Sequence, residues 1–258
     1  MIKTMNEKQT KVYELLKEFI EICNKHNLDY CAMYGTALGA IRHNGFIPWD
    51  DDIDLLISIE TYKFLKENYR NLIVDWETGN SFLMFPKFSK DKDSQKDVTF
   101  LDLFIDIPTT KKRIKKYLSL KNKLGYLNAY SQRKFFDIQW GMKIAKVLLF
   151  WTRMFKKPNY QKALETLYEP NSNIHHVINW PFKKATKINI YENINFFDTI
   201  DVKFEDIKIR VPKNYETIFL QNYGPNWRIP KKYKMSEHLG MYDMKVFCKK
   251  ERAKKNDK

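Results

Sequence analysis

The stretch Tyr34-Gly35-Thr36-Ala37-Leu38-Gly39-Ala40-Ile41-Arg42-His43-Asn44-Gly45-Phe46-Ile47-Pro48-Trp49-Asp50-Asp51-Asp52-Ile53-Asp54-Leu55-Leu56-Ile57 decides how this chain is read. It sets four carboxylates, Asp50, Asp51, Asp52 and Asp54, within five residues and runs straight into an apolar segment. Carboxylates this close repel one another, and a fold tolerates them where a hard cation neutralises them. On an extended segment side chains alternate between faces. Asp52 and Asp54 therefore point the same way, with Asp50 behind them and Asp51 opposed. Two carboxylates at that spacing make a cradle for one or two Mg²⁺ ions, with Mn²⁺ as the substitute. A solvated acidic turn is the plain alternative, but Ile47-Pro48-Trp49 and Leu55-Leu56-Ile57 close in on both sides. A calcium EF-hand loop lacks its glycine and its distal glutamate here.

Gly35 to Asp54 resembles, almost without a break, the signature of the LicD family. These are phosphotransferases related to phosphorylcholine transferases and, more distantly, to fukutin-related ribitol-phosphate transferases. Phe100-Leu101-Asp102-Leu103-Phe104-Ile105-Asp106 is similar to the family's Ile-Asp-Ile-Phe-Pro-Leu-Asp strand, with Ile105 in place of the proline. Phe85-Pro86-Lys87-Phe88 resembles the segment before it, with Ser89 where an arginine often follows. Val211-Pro212-Lys213-Asn214-Tyr215, Tyr223-Gly224-Pro225-Asn226-Trp227, Pro230 and His238 resemble the C-terminal signature. The matches touch residues 30–107 and 209–240.

The resemblance implies an α/β fold with a nucleotidyltransferase-type mixed-sheet core and a divalent metal. It implies transfer of a phospho-alcohol, phosphocholine foremost, from a CDP-activated donor such as CDP-choline. The acceptor would be a hydroxyl of a cell-surface glycan (teichoic acid, lipopolysaccharide or capsule precursor), free or lipid-linked, and CMP would leave. Asp52 and Asp54 would hold the metal. Asp102, set between Leu101 and Leu103, would be the third carboxylate on the same metal and the general base. Asp106, on the same strand face, is the runner-up for the base, or else a strand-end cap before Pro108. Gly35 and Thr36 would cradle donor phosphate on backbone N–H groups. Arg42 and Lys87 would neutralise it, and His43 would orient it. Tyr34, Trp49 and Trp227 would form an aromatic wall for a quaternary ammonium, core packing being the plainer reading for Trp49. His238 joins this set through the C-terminal signature.

Along the chain, Val12, Leu15, Leu16, Phe19, Ile20 and Cys23 fall at helical spacing, so residues 7–27 read as an amphipathic helix. Residues 30–34 read as a strand, 39–45 as a loop or short helix, and 52–59 as the acidic strand. A helix follows over 61–70, then strands over 82–88 and 99–107. Residues 111–157 read as helical and basic, and 160–180 as a further helix or loop. A strand pair over 199–211 precedes a short helix from about Pro212. The adjacent His175 and His176 point apart, which favours a surface role over chelation. Met142 to Phe155 is apolar with basic flanks and too short to span a bilayer. A core helix is the preferred reading for it, a place on a membrane surface the alternative.

The 258 residues suit one domain, or a core with a large insertion, and 43% hydrophobic content supplies a sizeable core. Division into a catalytic core over 1–110, a basic, mainly helical insertion or subdomain over 111–205, a C-terminal segment over 206–248 completing the site, and a charged tail over 249–258 is expected. Cys23, Cys31 and Cys248 have no metal or disulfide spacing, and Cys23 and Cys31 read as buried thiols. With no apolar leader at the N-terminus, the expected location is cytoplasmic, with peripheral contact at the inner face of the membrane.

The net charge of +15 is unevenly spread. Residues 1–110 carry 13 Lys/Arg against 18 Asp/Glu, net −5, and residues 111–258 carry 33 against 13, net +20. The basic half is expected to serve an anionic acceptor or an anionic membrane rather than nucleic acid, for which no reading motif is present. Lysines spread over solvated faces are the bland alternative. A nucleic-acid-modifying nucleotidyltransferase and an inactive scaffold binding an anionic glycan are the competing functions.

Overall fold

Helix α1 (Glu7–Lys25) begins at a reciprocal cap: Asn6 Oδ1 accepts from Gln9 N at 2.8 Å and the Gln9 side chain accepts from Asn6 N at 3.0 Å. Its stripe of Val12, Leu15, Leu16, Phe19, Ile22 and Cys23 is buried, as the spacing predicts. The structure, a computed structural model, describes residues 5–77, 84–90, 99–132 and 139–232. After α1 come β1 (Tyr30–Ala32), α2 (Tyr34–His43), β2 (Asp54–Ser58), α3 (Ile59–Asn68), β3 (Ile73–Val74), β4 (Lys87–Phe88) and β5 (Leu101–Thr109). Then follow α4 (Lys111–Tyr117), α5 (Leu120–Ser131), α6 (Gln139–Leu148), a 3-10 turn (Phe150–Met154), α7 (Tyr160–Leu167), β6 (Ile174–Val177), α8 (Lys183–Ile188) and β7 (Ile190–Glu192). The hairpin β8 (Thr199–Phe204) and β9 (Ile207–Pro212) and helix α9 (Tyr215–Tyr223) complete the described elements.

The main sheet is mixed, as the α/β reading requires. Strand β5 lies at its centre, parallel to β2 on one edge, with the start of its other edge paired to β4 and the end to β6, both antiparallel. Strand β1 extends the sheet beyond β2, β3 beyond β4, and β7 beyond β6. Parallel neighbours need a crossover, and α3, capped by Ser58 Oγ on Thr61 N at 3.1 Å, lies in that connection and packs on β2 and β5. The buried faces of β2 and β5 (Leu55, Leu56, Ile57, Leu103, Ile105, Ile107) meet α1 and α3 in the core. Residues 111–205 supply five α-helices among the described residues, and also β6 and β7, which join the same sheet.

Several local expectations change. The stretch read as a loop or short helix over 39–45 belongs to a helix that begins at Tyr34, takes in Gly35 and Thr36 and ends at His43. Its fold-back is tight: a Cβ on Gly39 would stand 2.5 Å from the Gly45 carbonyl oxygen, so only glycine fits there. The acidic strand begins at Asp54, because Ile47 to Asp50 turn, Asp50 N donating to Ile47 O at 3.0 Å. The stretch from Met142 to Phe155, read as a core helix, is instead the end of α6 and the 3-10 turn, and it does not lie in the core. Leu148 is 67%, Phe150 65% and Met154 80% exposed, and Thr152 alone of the 3-10 turn is buried. Among the described residues the segment packs chiefly on α5. His175 and His176 point apart as expected but are not surface groups. His175 bonds Asp106 and His176 is fully buried, its Nδ1 at 3.1 Å from the Asn189 carbonyl oxygen. Cys23 and Cys31 are buried free thiols, as expected; Cys248 and His238 lie outside the described residues. Among the described residues no helix is long and apolar enough to cross a membrane.

Candidate active site

Three pieces of the sheet converge on one set of carboxylates. Asp54 opens β2 directly beside Asp102 near the start of β5, in matched register on parallel strands. Lys87 on β4 stands opposite Asp102 from the other side, and its Nζ makes an ion pair with Asp102 Oδ1. The loop before β2 brings Asp52 and Asp50 to the same place. Gln9 of α1 ties that loop down, its amide donating to Asp50 O at 2.7 Å. Asp51 points away and pairs with Lys8 at 2.8 Å, so the expected alternation holds. Asp50, however, faces the cluster. A Cβ on Gly35 would sit 2.6 Å from Asp50 Oδ2 and 3.8 Å from Asp54 Oδ2, so a side chain there would have to displace the Asp50 carboxylate from the first turn of α2. Asp50 shares the parity of Asp52 and Asp54, and that parity is the signal by which sequence reasoning could have included it.

The electrostatics follow from this crowding. Burial raises the Asp54 pKa well above the usual range, with the charges of Asp52, Asp102 and Asp50 adding and Lys87 opposing. Burial, with Asp52 and Asp51 beside it, pushes Asp50 up to about 8. Carboxylates held in this way invite a cation. Among the described residues no three Asp, Glu, His or Cys side chains form a ready cage for one ion.

Thr36 tethers α2 to the site: its hydroxyl accepts from Asp54 N at 2.8 Å and is buried. Tyr34 sits at φ 44, a left-handed conformation costly for an aromatic residue. It is held by its hydroxyl on Asn189 Oδ1 at 2.5 Å and by edge contact with Phe104 at 4.8 Å. Phe85 packs on Phe104 at 4.4 Å, and Lys87 Nζ lies 3.5 Å from the Phe100 ring centre. Tyr34, Phe85 and Phe104 thus form a half-buried aromatic wall beside Asp102 that the sequence reading did not assemble.

The other expected site residues are placed elsewhere. Arg42 and His43 close the far end of α2, roughly 10 Å along the axis from Gly35. Arg42 Nη1 donates to Trp227 O at 2.8 Å, and burial lowers its pKa. Trp227 is core, 4% exposed and packed on Phe219 at 4.9 Å, with Arg228 over its ring. Trp49, for which core packing was the plainer reading, is 41% exposed beside the acidic loop. Asp106 is at the other end of β5, roughly 13 Å from Asp102 along the strand. It is buried there, with His175 Nδ1 at 2.8 Å from its Oδ2.

This constellation lies within a recognisable unit. Residues 27–116 match the model of the LicD/FKTN/FKRP nucleotidyltransferase domain. The resemblance drawn from Gly35 to Asp54 is thereby borne out over that stretch, and the domain similarity covers residues 27–116. The chain is 23% identical, over 91% of its length and 96% of the relative's, to the lipopolysaccharide cholinephosphotransferase LicD of Haemophilus influenzae. It is also 44% identical over 54 residues, 21% of this chain and 20% of the relative, to an uncharacterised protein of Rickettsia prowazekii.

Proposed function

We propose that this protein transfers phosphocholine from CDP-choline to a hydroxyl of a lipopolysaccharide-type cell-surface glycan, releasing CMP. The observation that carries the reading is the convergence of Asp50, Asp52 and Asp102 on Asp54, with Asp50 and Asp54 against the first turn of α2, inside the matched domain. The near full-length similarity to a lipopolysaccharide cholinephosphotransferase supports the choice of group and acceptor.

In the proposed reaction the acceptor oxygen bonds to the phosphorus that carries choline. The bond from that phosphorus to the bridging oxygen breaks, and its electron pair leaves with CMP. The acceptor proton passes to Asp102, the carboxylate that stands beside Asp54 on the neighbouring strand. Asp52 and Asp54 would hold Mg²⁺, which when bound supplies positive charge to the donor phosphates. Backbone N–H groups at the start of α2 would approach those phosphates, aided by the helix dipole. Lys87 holds Asp102 in place through its ion pair. Tyr34, Phe85 and Phe104 offer aromatic faces to a quaternary ammonium.

The test is CMP release from CDP-choline, CDP-ethanolamine, CDP-glycerol and CDP-ribitol with a lipopolysaccharide acceptor, with Mg²⁺ and with EDTA. Release from CDP-choline, abolished by EDTA and restored by Mg²⁺, is expected. No release from any of the four donors would overturn the reading.

A further inference from the structure

We propose that α6 and the 3-10 turn form a docking face for an anionic phospholipid bilayer. Along α6, Trp140, Ile144, Val147 and Leu148 recur at helical spacing and are all exposed. The 3-10 turn continues the stripe with exposed Phe150, Trp151 and Met154. A soluble surface seldom gathers this many large apolar side chains in one place without a partner. Both elements are short and none of their large apolar groups turns into the main core, so the face lies in a plane rather than crossing one.

Charge selects the occupant. Lys143, Lys146, Arg153, Lys156 and Lys157 lie within and beside the stripe, and none of them pairs with a carboxylate among the described residues. Lys146 and Arg153 also line, with Ser131 and Gln132, a cleft of about 350 Å³ where α5 meets these elements, two cations suited to a lipid phosphate. A second copy of this chain docked face to face would bring five cations against the same five, which repel. A bilayer with anionic headgroups takes both parts at once: apolar side chains enter the headgroup boundary while lysine and arginine meet phosphate. Trp140 and Trp151 are the residue type that settles at that boundary.

Vesicle binding is read without turnover, so this inference stands apart from the reaction proposed above. The full chain is sedimented with phosphatidylcholine vesicles and with vesicles containing phosphatidylglycerol, at low and high salt, while tryptophan emission is followed. The expected result is binding to the anionic vesicles only, weakened by salt, with a blue shift of emission. A Leu148→Asp/Phe150→Asp variant and, separately, a Lys143→Glu/Arg153→Glu variant should each bind at least tenfold more weakly, with circular dichroism unchanged. Either variant suffices if the other fails to fold. Equal or negligible binding to both kinds of vesicle overturns the proposal. So does anionic binding that neither variant weakens, and so does a dimer in solution that the first variant dissociates while vesicles are ignored.

Discussion

Lys87 ion-pairs with Asp102 from the neighbouring antiparallel strand, while Asp54 stands beside Asp102 on the parallel strand across from it. One buried lysine thus carries part of the charge compensation for the carboxylate group, and it does so at the residue read as the base. Removing one partner of a buried pair leaves the other uncompensated, at about 3–5 kcal/mol. Lys87→Met is therefore expected to lower stability by about 3 kcal/mol without divalent metal. Added Mg²⁺ should recover more stability in the variant than in the wild type, because a cation replaces the lost one. Thermal unfolding with EDTA and with Mg²⁺ measures both; equal Mg²⁺ effects on the two proteins would show that Lys87 and the ion do not serve the same charges.

The acidic cluster itself should show activity and stability moving in opposite directions. Asp54→Asn is expected to abolish CMP release, since it removes a metal-holding carboxylate, and Asp52→Asn should do the same. In metal-free buffer Asp54→Asn should unfold at a higher temperature than the wild type, because one repelling buried charge is gone while the Thr36 contact to the backbone N–H is kept. Near-normal turnover from either variant would sink the assignment.

Asp102 and Asp106 share a strand face but not an environment. Asp102→Asn should lose turnover by about a thousandfold, in the range expected for a general base with its positioning role. Asp106→Asn should lose much less, as its carboxyl is buried against His175. The reverse order of damage would exchange the two roles.

The Asp106–His175 pair carries a pH signature instead. Burial opposes the charged form of His175, but the hydrogen bond and charge of Asp106 together outweigh it and raise its pKa. Burial raises Asp106 as well, against the pull of His175. A raised histidine contributes stability that is complete below about pH 6.5 and is lost as pH rises through its folded value. A raised aspartate likewise favours the folded state at low pH and costs stability once ionised. Both signs agree. Asp106→Asn should therefore destabilise most at about pH 6 and below, and the loss should shrink towards pH 9. Urea unfolding of both proteins across that range is the measurement; a loss that grows with pH contradicts the account.

Much of the core was legible because its signals are local. The 3.6-residue stripe of α1, the run Leu55-Leu56-Ile57 and the alternation that sends Asp51 to Lys8 each need only neighbours in sequence. What escaped depends on tertiary placement. Gly35 and Thr36 fall between the strand read over 30–34 and the loop or short helix read over 39–45, yet they open α2, because the helix packs on β2 through Thr36 and Asp54. Trp227 looked like a ligand wall and is core, since Phe219 and Tyr215 on α9 enclose it. The apolar stripe of α6 has the periodicity of a core helix, and nothing in its spacing says that no core lies beneath it. The aromatic wall was missed because Tyr34, Phe85 and Phe104 come from three separate segments.

That wall gives the most specific expectation. Phe104 stands two residues after Asp102 on the same face of β5, with Phe85 and Tyr34 against it. A quaternary ammonium makes no hydrogen bonds, so its recognition falls to aromatic faces and shape. Such a contact contributes about 1–2 kcal/mol when partly desolvated, and 1.4 kcal/mol is about tenfold in binding. Phe104→Leu keeps an apolar side chain but removes the ring. It should raise KM for CDP-choline about tenfold while leaving KM for CDP-glycerol or CDP-ribitol within about twofold, and kcat should change little because Asp102 is untouched. Parallel kinetics on the donors decide the matter: equal loss on charged and uncharged alcohols would make Phe104 a packing residue and send the search for the choline subsite to the exposed ring of Trp49.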